Sequence, residues 1–401
     1  MSHSEKKAPK KGISQLKQYP VLLLFFGFLL VMFLADCITP YRSYSELENT
    51  SFLTRPTLTV KDLTGRNAVK KINGFFTDYS EFFKQQIAGR DYWIDLHAFT
   101  EQKIFGKQDY GNILLGKDGM EFARTYGLTS SEVTLLEKNL SAVENLNNRY
   151  PDLVTTMVVP SAAVIYPDKL PASAPLLDEN AMLDDIFARL GQTGKVLDVR
   201  PALAAHAAES QLFYRTDHHW TTDGAYYAYE ALCDQMGLTP FDRAAHTAKT
   251  VEGFYGTSWA KCRQPFAQPD TITYYDLDTP LTLYQATGNA QFTEKETTGL
   301  YEMEKFDTYD KYSAFLHGNN GFSRVTGKGE GKLLVVKDSY ANSFVPFLTD
   351  NFAQIDVVDF RGYNYGLDAL IAENQYDQVL VLYSFASFKS DPYLNRLAFV
   401  G

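Results

Sequence analysis

The sequence predicts an α/β protein, a parallel sheet flanked by helices, with a β-rich insertion at about 246–330 and an N-terminal transmembrane helix. Three observations predict it. Short β-branched runs such as "LVTTMVVP" (Leu153–Pro160), "KLLVV" (Lys332–Val336) and "DQVLVLYS" (Asp377–Ser384) lack the polar alternation of a half-exposed strand. Helical patterns separate these runs, as crossover connections require. An apolar run free of charge from Val21 to Ala35 precedes them all.

Composition bounds the class. The 401 residues are 45% hydrophobic and 21% charged, ordinary for a globular chain with a large core. The 26 Tyr and 28 Phe suit a surface that stacks on sugar rings, and they suit a core equally well. Net charge is -10 and no basic patch argues for nucleic acid.

From the N-terminus, Lys6, Lys7, Lys10, Lys11 and Lys17 against Glu5 mark residues 1–18 as a cytoplasmic basic tail, by the positive-inside rule. Residues 19–39 supply about the 20 residues that cross a bilayer. No A-x-A site follows, so the reading is an uncleaved single-pass anchor with the rest of the chain outside the cytoplasm. Residues 40–66 read as a polar stalk, and 67–401 as one extracytoplasmic domain. Cys37 sits at the membrane edge; Cys233 and Cys262 are either a disulfide or two buried thiols.

Within that domain, residues 69–106 carry apolar and aromatic side chains at mostly helical spacing. "NILLGKDGMEF" is a hairpin signal, with Lys117-Asp118-Gly119 between two apolar runs. A helix follows over "SSEVTLLEKNLSAVENLNNRY", capped by Ser130 or Ser131, its stripe made by Leu135, Leu136, Leu140, Val143 and Leu146. Strand, helix and strand then fall at Leu153–Pro160, Leu177–Leu190 and "KVLDV". A helix over Pro201–Glu209 leads into "LFYRTDHHW", and Thr221–Met236 is helical. The chain closes with "KLLVVKDSY", a helix from about Ser339, "QIDVVDF", a helix from about Leu367, and "DQVLVLYS". In the insertion, "TITYYDL" and "LTLYQ" are strands of unassigned order.

"TDHHW", read as extended backbone at a strand end, puts Asp217 and His219 on one side and turns His218 away. That spacing disfavours two histidines on one metal. It lets the Asp217 carboxylate orient the His219 imidazole and stabilise its charged form; a buried pair with no chemistry is the competing reading. A base needs a nucleophile, and "KLLVVKDSYANSF" offers Ser339 after a buried strand, where open α/β sheets place their sites. Backbone N–H groups at a helix start there can stabilise an oxyanion, or Ser339 can simply cap the helix.

Together, "TDHHW" and "KDSYANSF" resemble the DHHW protein family of Gram-positive bacteria and, more distantly, the SGNH-hydrolase-like proteins that O-acetylate alginate in the periplasm. Those proteins carry Asp-x-His-Trp and, much later, a serine after a strand; Asp217, His219, Trp220 and Ser339 match. The order, Asp–His before Ser, is the reverse of ordinary SGNH esterases. The resemblance extends to the anchor, to "GKDG" and to "FLHGNNGF" (Phe315–Phe322). Two departures stand out: "KDS" replaces the "GDS" of SGNH esterases, and His218 replaces the small or polar residue of the alginate group.

The resemblance implies an SGNH-like fold and a catalytic Ser339–His219–Asp217 set with no cofactor and no metal. It makes Asn319 or Asn342 a candidate second oxyanion donor. Arg361 can clamp a carboxylate or phosphate on a polymer or form an ordinary salt bridge. Tyr340 and Trp220 can frame the pocket, unless Trp220 packs under the sheet. The function implied is O-acyl, chiefly O-acetyl, transfer to a cell-envelope or exopolysaccharide sugar. A membrane-bound O-acyltransferase-type protein would supply the acyl group as partner. Alternatives are a carbohydrate esterase with the same residues and a non-catalytic polysaccharide-binding or scaffold ectodomain. A metal phosphoesterase of the DHH type would need further Asp-rich motifs.

Overall fold

The computed structural model describes residues 19–48, 50–288 and 291–399. The basic tail expected at 1–18 lies outside the described residues. Two compact units divide between His97 and Ala98.

In the first unit, Pro20–Ile38 is a helix with no buried residue, long and apolar enough to be a signal anchor or signal peptide. The segment read as an irregular stalk carries local structure: Tyr44–Ser45 pairs antiparallel with Thr50–Ser51, and Val60–Thr64 is a short helix. Ala68–Gln86 is a helix expected from the spacing, as is Arg90–Phe99, whose last two residues fall past the division.

The second unit is built on eight strands: β1 (Val154–Val159), β2 (Lys195–Leu197), β3 (Pro280–Gly288), β4 (Gln291–Gly299), β5 (Phe322–Thr326), β6 (Lys332–Lys337), β7 (Gln354–Val358) and β8 (Gln378–Ser384). They lie in the order β4-β3-β5-β7-β6-β8-β1-β2. From β7 to β2 every pairing is parallel; β4, β3 and β5 extend the sheet antiparallel beyond β7. The sheet is therefore mixed, not wholly parallel. The cause is chain length: β3 and β4 are joined by a hairpin too short for the crossover that parallel strands require. The β-rich insertion thus supplies three strands of the main sheet. It also holds a separate antiparallel pair, Ala248–Phe254 with Asp270–Tyr275.

Alternation along β6 shows how the sheet is covered. Leu333 and Val335 enter one core with Trp220, Ala225, Tyr229 and Phe344. Leu334 and Val336 enter the other with Leu140, Val143, Leu146, Leu183 and Ile186. Helices Ser130–Arg149 and Glu179–Leu190 therefore cover one face and Thr222–Met236 the other. Each such aliphatic side chain contributes roughly 1.5–3 kcal/mol on burial.

Three local expectations change. Thr129, not Ser130 or Ser131, caps the helix Ser130–Arg149: its Oγ1 accepts from Glu132 N–H at 3.2 Å while Glu132 accepts from Thr129 N–H at 2.8 Å, a reciprocal box that neither serine can form. The helix expected from Ser339 begins at Ala341, runs only to Phe344, and passes into a 3-10 segment that holds Pro346. Cys233 and Cys262 are separate free thiols, both buried. The "GKDG" hairpin forms as expected, pairing Leu115 with Glu121 through Asp118 and Gly119 at positive φ.

Thr129→Ala is expected to lower unfolding free energy by about 1 kcal/mol. Ser130→Ala should change it by less than half of that; denaturant titration of both variants measures the difference.

Candidate active site

The "TDHHW" segment is a looped turn, not an extended strand end. Phe213 bridges Trp220, Tyr214 N–H donates to the His219 carbonyl at 3.2 Å and Thr221 N–H to the Leu212 carbonyl at 2.9 Å. What bends the chain is Asp270, 1% exposed. Its carboxylate accepts from Thr216 N–H (2.8 Å), Thr216 Oγ1 (2.7 Å), Arg215 N–H (3.1 Å) and Gln211 Nε2 (2.8 Å). A buried carboxylate is tolerated when it is this fully bonded.

Asp217 then organises the loop tip. Its Oδ1 accepts from His219 N–H at 3.0 Å and contacts His219 Nδ1 at 2.5 Å. Its Oδ2 accepts from Thr257 N–H at 2.7 Å and Thr257 Oγ1 at 2.9 Å. An ionised carboxylate only accepts, so Nδ1 carries the His219 proton and Nε2 is left as the acceptor. That Nε2 lies 2.7 Å from Ser339 Oγ. The structure thus brings Asp217, His219 and Ser339 into one hydrogen-bonded row, across 120 residues of chain.

His218 does not face away. Its ring lies 3.9 Å from that of His219, and Nδ1 contacts Thr257 Oγ1 at 2.7 Å. Since that hydroxyl donates to Asp217, His218 Nδ1 is the donor. Asp217, His218 and His219 place their donor atoms within 4.8 Å of one another. Binding a cation there would break at least one of the His219 contacts described above.

Charge follows from this packing. Burial works against ionisation of Asp217, but His218 and then His219 outweigh it and hold the carboxyl well below its usual range. Burial, reinforced by His218, lowers His219 despite Asp217. Burial also opposes a charged His218, yet Asp217 raises it above the ordinary value. At neutral pH the His219 ring is therefore a free base beside an ionised carboxylate.

Ser339 sits in the turn after β6, held from three sides. The Asp338 carboxylate accepts from Tyr340 N–H (2.9 Å), Ser384 N–H (2.9 Å) and Ser384 Oγ (2.6 Å), tying the turn to the end of β8. Tyr312 donates its hydroxyl to the Ser339 carbonyl at 3.1 Å and stacks on His219 at 3.9 Å. Trp220 Nε1 donates to the Tyr340 carbonyl at 2.9 Å. The Tyr340 N–H, one of the helix-start donors expected to face an oxyanion, is spent on Asp338.

The remaining sequence candidates divide. Trp220 is fully buried on Phe344, so it packs beneath the site and does not frame an opening. Tyr340 is 3% exposed and its hydroxyl bonds the His218 carbonyl; it fastens the two halves of the site together. Arg361 is an ion-pair partner of Asp359, through Nε at 2.9 Å and Nη2 at 2.5 Å. Asn342 is buried and its Nδ2 donates to Asn319 Oδ1 at 3.3 Å. Asn319 is exposed, and Lys337 Nζ also donates to its Oδ1, at 3.1 Å. Burial lowers Lys337, with Asp359 opposing. Sequence reasoning missed Thr257, Tyr312, Asp338 and Asp270. Three lie in the insertion, where no periodicity or motif marks them; Asp338 was legible as part of "KDS".

Gly256 shows how tight the assembly is: a Cβ there would lie 2.2 Å from Asp217 Cβ.

Comparison with known proteins places the chain in a family. The profile of the DHHW protein family matches residues 141–358. The chain belongs to that family. A solved DHHW family protein from Eubacterium siraeum superimposes with a TM-score of 0.57 at 25% identity, covering 71% of this chain and 95% of that one. Bacillus cereus PatB1, solved with a sulfonyl adduct, shares the fold at a TM-score of 0.55 and 18% identity, covering 72% of this DHHW protein and 98% of PatB1. The probable alginate O-acetylase AlgJ of Pseudomonas fluorescens is 26% identical over 216 residues, 52% of this chain and 51% of AlgJ. The DHHW protein therefore spans about half the length of the curated relatives it matches.

In a pH titration followed by imidazole NMR signals, His219 should protonate below the ordinary histidine range and His218 above it. His218→Gln should move the His219 midpoint upward, because it removes the neighbouring cation. Gly256→Ala should displace Asp217 and abolish the shifted His219 signal.

Proposed function

We propose that this DHHW protein is an extracytoplasmic O-acyltransferase, acting with an acetyl group on a cell-envelope or exopolysaccharide sugar. The observation that carries the reading is His219, which donates from Nδ1 to Asp217 and contacts Ser339 Oγ at 2.7 Å from Nε2. Ser339 Oγ attacks the acyl carbonyl carbon while its proton passes to His219 Nε2; Asp217 stabilises the imidazolium so formed. Collapse of the tetrahedral intermediate expels the donor's leaving group with that proton and leaves an acyl-serine. A sugar hydroxyl then attacks, giving its proton to His219, which returns it to Ser339 Oγ. Water as acceptor makes the same residues an esterase.

A carbonyl oxygen under attack needs hydrogen-bond donors. Asn319, which is exposed, suits that role better than Asn342, which is buried and already donates one N–H to Asn319. Among the described residues the Asn319 Nδ2 donates to no protein acceptor.

The sugar acceptor and acetyl group come from the relatives named as probable alginate O-acetylases. An acyl group must reach the outside of the membrane, so the reading includes a membrane-bound acyl exporter as partner. It also takes Pro20–Ile38 as a retained anchor with its N-terminal end cytoplasmic.

The full chain in detergent should hydrolyse a chromogenic acetyl ester and be labelled at Ser339 by a serine-directed sulfonyl fluoride. Ser339→Ala should lose at least about a thousandfold in kcat with its thermal midpoint unchanged. Wild-type turnover retained in Ser339→Ala would refute the mechanism; a folded chain that neither turns over nor labels would favour the scaffold reading.

A further inference from the structure

Lys337 lies two residues before Ser339 and is 1% exposed. A buried ammonium is costly unless its N–H groups are bonded and its charge is paired. Lys337 Nζ donates to Asp359 Oδ2 at 3.2 Å and to Asn319 Oδ1 at 3.1 Å. Asp359 is meanwhile held by Arg361 through its backbone N–H at 3.0 Å and two guanidinium contacts. The aspartate accounts for a structural ion pair. It does not account for the bond to an exposed amide.

That bond decides which way Asn319 points. The two ends of an amide have nearly the same shape, so an exposed asparagine ordinarily turns over at little cost. Here Oδ1 receives both Lys337 Nζ and Asn342 Nδ2. Turning the amide over would set its NH2 against the Lys337 ammonium, which can only donate. The oxygen is held inward, and the NH2 is held outward.

We propose that Lys337 is a positioning residue for acyl transfer: it locks the Asn319 amide so that its N–H groups meet the acyl oxygen on which charge develops when Ser339 attacks. This rests on the acyl-transfer reading above. Lys337 itself forms no bond with substrate and moves no proton; the donor is in place before the reaction begins, which is what makes such a donor effective.

Three variants of the full chain test it on the chromogenic acetyl ester. Lys337→Met and Asn319→Ala should each lower kcat about a hundred- to a thousandfold, the range set by loss of one oxyanion donor, with KM changed less than about twofold. The double variant should fall no further than Asn319→Ala, since the lysine acts through the amide. Losses that multiply, or an unchanged kcat in Lys337→Met, overturn the proposal. Asn319→Asp keeps the oxygen for Lys337 and removes the N–H donors, so it covers the case of a misfolded Lys337→Met. It should match Asn319→Ala, and full activity in it overturns the proposal.

Ser339→Ala in the same assay separates the two levels. Activity that survives it sinks the acyl-transfer reading, whereas loss there beside an unaffected Lys337→Met sinks only the role of the lysine. A readout free of turnover is the side-chain NH2 signal of Asn319 in protein labelled with 15N-asparagine. It should shift on sulfonylation of Ser339 in the wild type and stay put in Lys337→Met; the same shift in both overturns the proposal.

Discussion

One buried carboxylate, Asp217, holds the site together. It is 3% exposed and takes four hydrogen bonds, two from His219 and two from Thr257. An ionised group in such surroundings persists only when it is paired and bonded on every side. Satisfying Asp217 therefore forces two stretches about 40 residues apart into one place: the bridged loop that carries His219, and the start of the helix Thr257–Cys262. The approach is close enough that only glycine fits at 256. Orientation of the imidazole is a by-product of satisfying the carboxylate.

A second aspartate does the same for the other half. Asp338 closes the turn after β6 by accepting from Tyr340 and Ser384, so Ser339 is carried on two strands that are already paired in the sheet. Tyr312, Tyr340 and Trp220 then join the halves, each bonding across by a side-chain donor to a backbone carbonyl. Side chains fixed in this way give up little freedom when a substrate arrives, and preorganisation of that kind is where positional catalysis draws its advantage.

How much of this the chain disclosed depends on whether the signal was local. The strands were legible because runs such as Leu333–Val336, buried on both faces, have no polar alternation, and the helices because their stripes recur. Ser339 was legible as a serine at the end of such a run. The geometry of the "TDHHW" segment was not, since strand alternation assumes an extended backbone. What overrides it is Asp270, which lies more than 50 residues away and draws Arg215 and Thr216 onto itself. His218 was placed on the wrong side for the same reason. Thr257 and Tyr312 lie in a segment without period or motif, and their roles exist only once the loop reaches them. The antiparallel strands of the insertion were seen as strands, but pairing order is a property of the assembled sheet.

The adjacent histidines raise a question that the packing answers. A carboxylate at 2.5 Å from His219 would by itself raise that ring and leave it protonated, useless as a base. Burial pulls the other way, and so does His218, whose side chain is 43% exposed and can carry the cation at the solvent edge. The charge that Asp217 attracts is thereby placed on the outer ring, while the inner ring stays neutral and in line with Ser339. When a proton does reach His219, Asp217 is still in contact to stabilise it. The second histidine tunes the first by competing with it for the same carboxylate: burial opposes the charge on both rings, Asp217 holds the cation on His218, and that cation in turn lowers His219.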